Sequence, residues 1–362
     1  MKNILCSLFF LLFISINSNA QNLSAYINIR NEFYFFEDSI TRQIDYLPPE
    51  NYKIGGNAIA YNDKQSTFKI YQYGNTYSPI RGSVLQYEMT NELVLVRTAG
   101  SLYAFEDGNL NLLTHFPGAF AICDSMIGFV DYASRNFLVY HNGNISTVKE
   151  GTTDVAVNFV AYGSNVIAVK TFDNTFGIYY HDSLYEQETE YPETVLAGAN
   201  IVAYIDQYDP GFRIFYKGVT KKIEEFNPQI YVVGDDCMAY ISADNIFKIF
   251  WNGNLYTIGN YTPVYFKAKD NVLIYADRTG YLYTFWQGKS VRLENFIPDK
   301  ITIGRNTFFY FDQSNHLKIF QNGKLTEMPF DTYLSVVLDY DVVKMKMSQS
   351  QFRFFSNGNT FP

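Results

Sequence analysis

The side chains able to do chemistry here are four histidines, a recurring set of aspartates and two cysteines. His115, His141, His181 and His316 are scattered along the chain. No two of them come with carboxylates at the spacing of a metal site, where several ligands must converge on one ion. His141 and His181 sit beside hairpin turns, His316 begins a strand and His115 ends one, so each reads as an edge or surface histidine. No serine occupies a Gly-x-Ser-x-Gly elbow, and neither a P-loop nor a dinucleotide-binding fingerprint is present. No catalytic, cofactor-binding or metal-binding residue is assigned, and no cofactor is expected.

The aspartates need more care. Asp63, Asp131, Asp206, Asp277 and Asp312 recur where a strand ends, with Asp173 and Asp244 slightly displaced. A ring of carboxylates could hold a cation or assist a hydrolysis. Asp also caps its own turn by accepting from backbone N–H groups two residues on, and a residue repeated along the chain serves the repeat first. The capping role is therefore expected. Asp206-Gln207-Tyr208-Asp209 resembles part of a calcium loop but lacks the glycine and terminal glutamate of that motif. Aromatic pairs such as Phe250-Trp251, Phe285-Trp286 and Tyr179-Tyr180 precede hairpin turns; in a strand, adjacent rings point to opposite faces, so at least one of each pair is core. A glycan groove lined by such rings is the alternative reading.

These residues are positioned by a repeat. Phe247–Ile258 reads as two short strands joined by Asn252-Gly253, a strong hairpin signal because a type I′ turn needs positive φ at both central residues. The same glycine returns at Gly218, Gly253, Gly288, Gly323 and Gly358, each step 35 residues, and earlier at Gly143, Gly108 and Gly74. Two further slots, near Ser39 and Ser183, lack it, and the longer step from Gly143 to Ser183 implies an insertion around 158–165. Each repeat carries four strand-like runs, as in Gln229–Ile258. The 31 tyrosines and 32 phenylalanines suit half-buried pleated surfaces.

Four antiparallel strands per 35 residues, apolar on both faces, predict an all-β fold: one large β-propeller whose blades bury each other. Complete sets run from about Tyr52 to Phe361 and make nine blades. Residues 23–45 supply the second, third and fourth strands of another, so nine to ten four-stranded blades are expected. A parallel β-helix would lack the regular hairpin, and an α/β fold would need helical apolar spacing that is not found after Ala20.

Residues 1–20 read as a secretory signal peptide: Lys2, an apolar run Ile4–Ile16, and a small residue before Gln21. The propeller domain then spans 21–362, and a periplasmic or extracellular location is expected. Cys6 lies within the apolar run, away from a lipid-anchor position. Cys123 and Cys237 fall in distant repeats and read as buried free thiols. The net charge of −8 argues against nucleic acid and anionic membrane surfaces.

The Asn-Ala-Gln ending of the leader resembles signal peptides of the Bacteroidota. Asp38-Ser39-Ile40, Asp124-Ser125-Met126 and Asp182-Ser183-Leu184 resemble the O-glycosylation acceptor of that phylum. Over the mature residues the chain resembles secreted β-propellers, a likeness that implies fold and little about activity. The expected function is a non-catalytic protein-binding scaffold, with another protein as partner, such as a component of an outer-membrane translocon for which it would be an accessory or plug subunit. The last repeat runs to Pro362, so a C-terminal sorting domain of the type IX kind is not expected. A carbohydrate-binding or glycan-active protein is the alternative.

Overall fold

The computed structural model describes residues 22–81, 84–151, 157–171, 175–187 and 192–362, all of it strand, turn or loop with no helix. The proposed leader, Cys6 and Asp173 lie outside the described residues. Ten antiparallel sheets follow one another along the chain, nine of four strands and a first of three among the described residues. Numbered in order, blades 1 to 10 span 23–45, 51–77, 86–114, 117–149, 158–186, 192–224, 230–259, 265–294, 301–327 and 335–361. The blade count expected from the sequence therefore settles at ten, and among the described residues blade 1 shows no inner strand.

Blade 7 shows why the repeat folds this way. Its strands are Ile230–Val233, Cys237–Ile241, Phe247–Trp251 and Asn254–Gly259, each paired to the next. Asn252 (φ 45°) and Gly253 (φ 86°) make the tight turn between the last two, where glycine's missing Cβ removes the penalty for positive φ. The second strand is buried throughout because neighbouring blades cover both its faces. One apolar cluster joins Ala203, Phe212 and Ile214 of blade 6 to Tyr231, Met238 and Phe250 of blade 7. Polar staples reinforce the same interfaces. Glu224 accepts from Tyr240 (2.6 Å) and Lys248 (2.6 Å) of the next blade, and Glu294 does the same for Tyr310 (3.0 Å) and Lys318 (2.7 Å).

Two details differ from the sequence reading. The turn of blade 5 is His181 (φ 46°) and Asp182 (φ 58°), and Ser183 already begins the outer strand Ser183–Glu186. The connection from Lys149 to Asn158 is longer than those of blades 6 to 9, and within 158–165 the inner strand of blade 5 carries a bulge between Phe159 and Ala161. A blade tolerates added length in a connection more readily than in a paired strand.

The ring closes without a shared blade. Blade 10 is built from its own four strands and packs on blade 1 through Phe36 against Phe354 (ring centroids 4.4 Å) and Tyr26 against Phe352 (4.5 Å). Lys344 of blade 10 donates to the Ala25 carbonyl (2.5 Å) and to Asp339 (2.6 Å), which also accepts from Ser24 Oγ (2.6 Å). The ammonium thus satisfies a backbone oxygen on the edge of blade 1 where every other blade has an inner strand. Cys123 and Cys237 are buried free thiols.

Candidate functional site

Antiparallel order gives the disc two distinct faces. Loops between blades, and between second and third strands, emerge on one face; the Tyr132 N–H donates to the Phe116 carbonyl there at 2.9 Å. Turns from inner to second strand, and the hairpins, emerge on the other, where Asn252 N–H donates to the Asp236 carbonyl at 2.9 Å. We call these the loop face and the hairpin face.

The aspartates singled out by spacing belong to the loop face, and each caps its own loop. Asp63 accepts from the N–H groups of Gln65 (2.8 Å) and Thr67 (2.9 Å), and Asp312 from Ser314 (2.9 Å) and His316 (2.8 Å). Asp131 accepts from Ser134 N–H, Asp206 from Tyr208 and Asp277 from Thr279. These bonds hold the carboxyls of Asp63, Asp131, Asp277 and Asp312 below the usual range despite the opposing effect of burial. In blade 7, Ser242 Oγ does this work by accepting from Ile246 N–H (3.2 Å), and Asp244 stays exposed. The histidines also stay apart. His141 faces Asp182 at 3.3 Å, His316 lies 3.5 Å from Asp312, and His115 pairs with Ser101 Oγ at 2.9 Å. Trp251, Phe285 and Tyr179 are buried between blades, so at least one ring of each pair is core.

The polar cluster that spacing missed sits on the axis, at the hairpin face. Its residues share one column of the repeat, directly after the inner strand: Asp235, Asp270, Arg305 and Tyr340 follow at steps of 35. Asp124 and Ser164 hold the same place in blades 4 and 5. Here the inner turns crowd together and bond across blade boundaries, Asp124 N–H to the Ser164 carbonyl (2.7 Å) and Asp235 N–H to the Asp270 carbonyl (2.6 Å). The approach is so close that a Cβ on Gly198 would overlap the Gly234 carbonyl oxygen, and Gly163, Gly234 and Gly304 are confined in the same way.

Arg305 bolts this collar. Its guanidinium pairs with Asp124 of blade 4, five places round a ring of ten and so across the axis. It also donates to Tyr340 Oη (3.1 Å) and lies 3.9 Å from Asp235, whose other oxygen accepts from Ser164 Oγ (2.9 Å). Burial, then the neighbouring Asp270 charge, push the Asp235 carboxyl up to about 6, with Arg305 opposing. Burial also raises Asp270, and the surrounding carboxylates hold Arg305 firmly charged. A cavity of about 380 Å³ lies at the collar, lined by inner-strand ends of blades 3 to 10. Ser164 Oγ donates to the Asp235 carboxylate, which also lies 3.9 Å from Arg305. Among the described residues no group of three or more His, Cys, Asp or Glu side chains is arranged to hold a metal. Structurally, the cluster ties opposite sides of the ring together.

Residues 17–361 match the family model of the 10-bladed beta propeller domain. The chain belongs to this ten-bladed propeller family. No curated protein matches it. Among solved structures, the propeller is similar to the computationally designed Ika8 protein, at 13% identity over 76% of this chain and 97% of that one, with a TM-score of 0.31. It is also similar to Kluyveromyces lactis Hsv2, at 11% identity over 63% and 92%, with a TM-score of 0.33. PorZ, described as a surface component of the type-IX secretion system of Porphyromonas gingivalis, shares 8% identity over 91% of this chain and 64% of its own length, with a TM-score of 0.28.

Proposed function

We propose that this ten-bladed propeller is a non-catalytic scaffold that binds another protein in the cell envelope of a Bacteroidota-type bacterium. In this reading the leader at 1–20 delivers it to the periplasm or beyond, and it serves as an accessory or plug subunit of an outer-membrane secretion complex. The observation that supports the reading is the use of the polar groups. The repeated aspartates cap their own loops, and the axial Asp124 and Asp235 face Arg305, which ties the ring across its centre. Beside the axial cavity, what the disc offers a partner is two broad faces, the kind of surface protein docking uses.

The test is affinity capture of the tagged full-length chain from envelope extracts, with a thermal-shift screen of soluble polysaccharides alongside. An outer-membrane protein retained in stoichiometric amount supports the proposal. Absence of any such protein refutes the envelope-complex role, and a reproducible melting-temperature rise with a polysaccharide would move the function to glycan binding.

A further inference from the structure

The loop face is apolar in a regular way. Six connections between blades are described without a gap, and each carries at least one large apolar side chain in solvent, among them Tyr46, Phe116, Phe226, Val264, Ile297 and Phe330. Tyr46 is 80%, Phe330 68% and Phe226 66% exposed. Tyr132 and Tyr208, on loops between second and third strands, join them on the same face. An apolar residue repeated along the chain would ordinarily be core, yet these are exposed. With about 150–250 Å² per aromatic side chain, these exposures sum to roughly 1,000 Å² of side-chain surface distributed round the loop face. A stable interface buries ~800 Å² per partner.

We propose that the loop face is the interface of a face-to-face homodimer, with a second copy of this chain as its occupant. An annulus of side chains is matched over its whole extent only by a flat partner of similar diameter, and an identical disc turned over by a two-fold axis supplies one. Charge permits the contact. Although the chain carries −8 overall, exposed Arg30, Lys64 and Arg278 stand against exposed Glu50, Asp209 and Glu225 on this face, so two loop faces meet without net repulsion. The collar carboxylates lie on the opposite, outward face. The inference goes beyond the scaffold reading: a dimer would present two hairpin faces to whatever protein it binds, and it stands or falls on mass alone.

Multi-angle light scattering and sedimentation equilibrium on the mature chain test it, with the triple variant Tyr46→Asp, Phe116→Asp, Phe226→Asp beside it. All three side chains are exposed, so the variant should fold, which its melting temperature and β-sheet circular dichroism will check. Should the triple variant misfold, Phe226→Asp alone takes its place. The expected result is twice the chain mass for the native protein and monomer for the variant, with dissociation at least roughly 100-fold easier, as when central anchors are lost. A native monomer at about 100 µM overturns the proposal, since a complex of that size should assemble well below it. A dimer indifferent to the loop-face substitutions but broken by Asp107→Lys on the hairpin face overturns it too. So does a native chain that floats with zwitterionic phosphatidylcholine vesicles in place of self-associating.

Discussion

Arg305→Met is the most direct probe of the collar. The substitution keeps most of the side-chain volume and removes the cation that pairs with Asp124 and faces Asp235 across the axis. The Arg305 and Asp124 side chains are only 21% and 19% exposed, and Asp235 is nearly buried, so water cannot replace the guanidinium freely. Breaking a buried pair from one side costs about 3–5 kcal/mol; the residual exposure puts this case near ~3 kcal/mol. Unfolding entropy of about 2.1 cal/mol/K per residue comes to ~0.7 kcal/mol/K over some 340 residues, so the melting temperature should fall by about 4 °C. Asp124→Asn in the same background should cost much less than Asp124→Asn in the native chain, because its partner is already gone; the cycle isolates the pair. Differential scanning calorimetry at pH 7 gives all four values. If Arg305→Met melts within 1 °C of the native protein, or the two substitutions add, the guanidinium does not bolt the ring and the account of the axis is wrong.

Three further perturbations address other parts of the argument. Asp235, with its pKa raised to about 6, holds a proton in the folded state that it has largely lost when unfolded, so it favours folding at low pH and that contribution fades as pH rises from about 4 through 6; the native chain should lose about 2–3 kcal/mol relative to Asp235→Asn across this window, and urea titrations that run parallel from pH 4.5 to 7.5 would contradict it. Gly198→Ala places a methyl into the Gly234 carbonyl and should cost at least ~3 kcal/mol by forcing the collar apart, far more than the ~1 kcal/mol of an ordinary Gly-to-Ala strain at an open turn such as Gly143; equal melting temperatures for the two variants would show the turns are not in contact. Lys344→Met at the seam leaves the Ala25 carbonyl unpaired and Asp339 without its cation, a loss of about 2–4 kcal/mol that hydrogen exchange should register first in blades 1 and 10; uniform acceleration round the ring would refute a local latch.

The architecture was legible because it rests on local chemistry repeated in phase. Asn252-Gly253 and its equivalents announce a turn within four residues, and the 35-residue step then announces a blade without any long-range information. The missing inner strand of blade 1 could be read for the same reason. Turn assignment slipped by one residue at His181-Asp182, where no glycine marks the position and two ordinary side chains adopt positive φ. The axial cluster was invisible for a different reason. Arg305 and Asp124 are 181 positions apart, and nothing in either neighbourhood names the other. A signal existed nonetheless: comparing blades down the column after the inner strand lines up Asp124, Ser164, Asp235, Asp270, Arg305 and Tyr340, a polar set in a place that points at the axis. Attention to residue type found the capping aspartates, which serve each blade, and passed over the column in which the blades differ.

That contrast has a physical basis. Side chains at blade interfaces face the same neighbour geometry ten times over, so one solution can be reused: an acid at the end of an outer strand accepts from a tyrosine and a lysine of the next blade, at Glu224 with Tyr240 and Lys248 and again at Glu294 with Tyr310 and Lys318. The axis is the one place where blades that are not neighbours meet, and identical residues there would set like charges together. Ten aspartates would repel and ten arginines would repel; a ring of this size can tie its far sides together only by breaking its own repeat. The Arg305–Asp124 pair, with Tyr340 and Ser164 completing the hydrogen bonds, is how this chain does so. The loop face is subject to neither constraint, since its side chains need match nothing within the ring. Apolar residues left largely in solvent there in six successive described connections point to a contact outside the single chain.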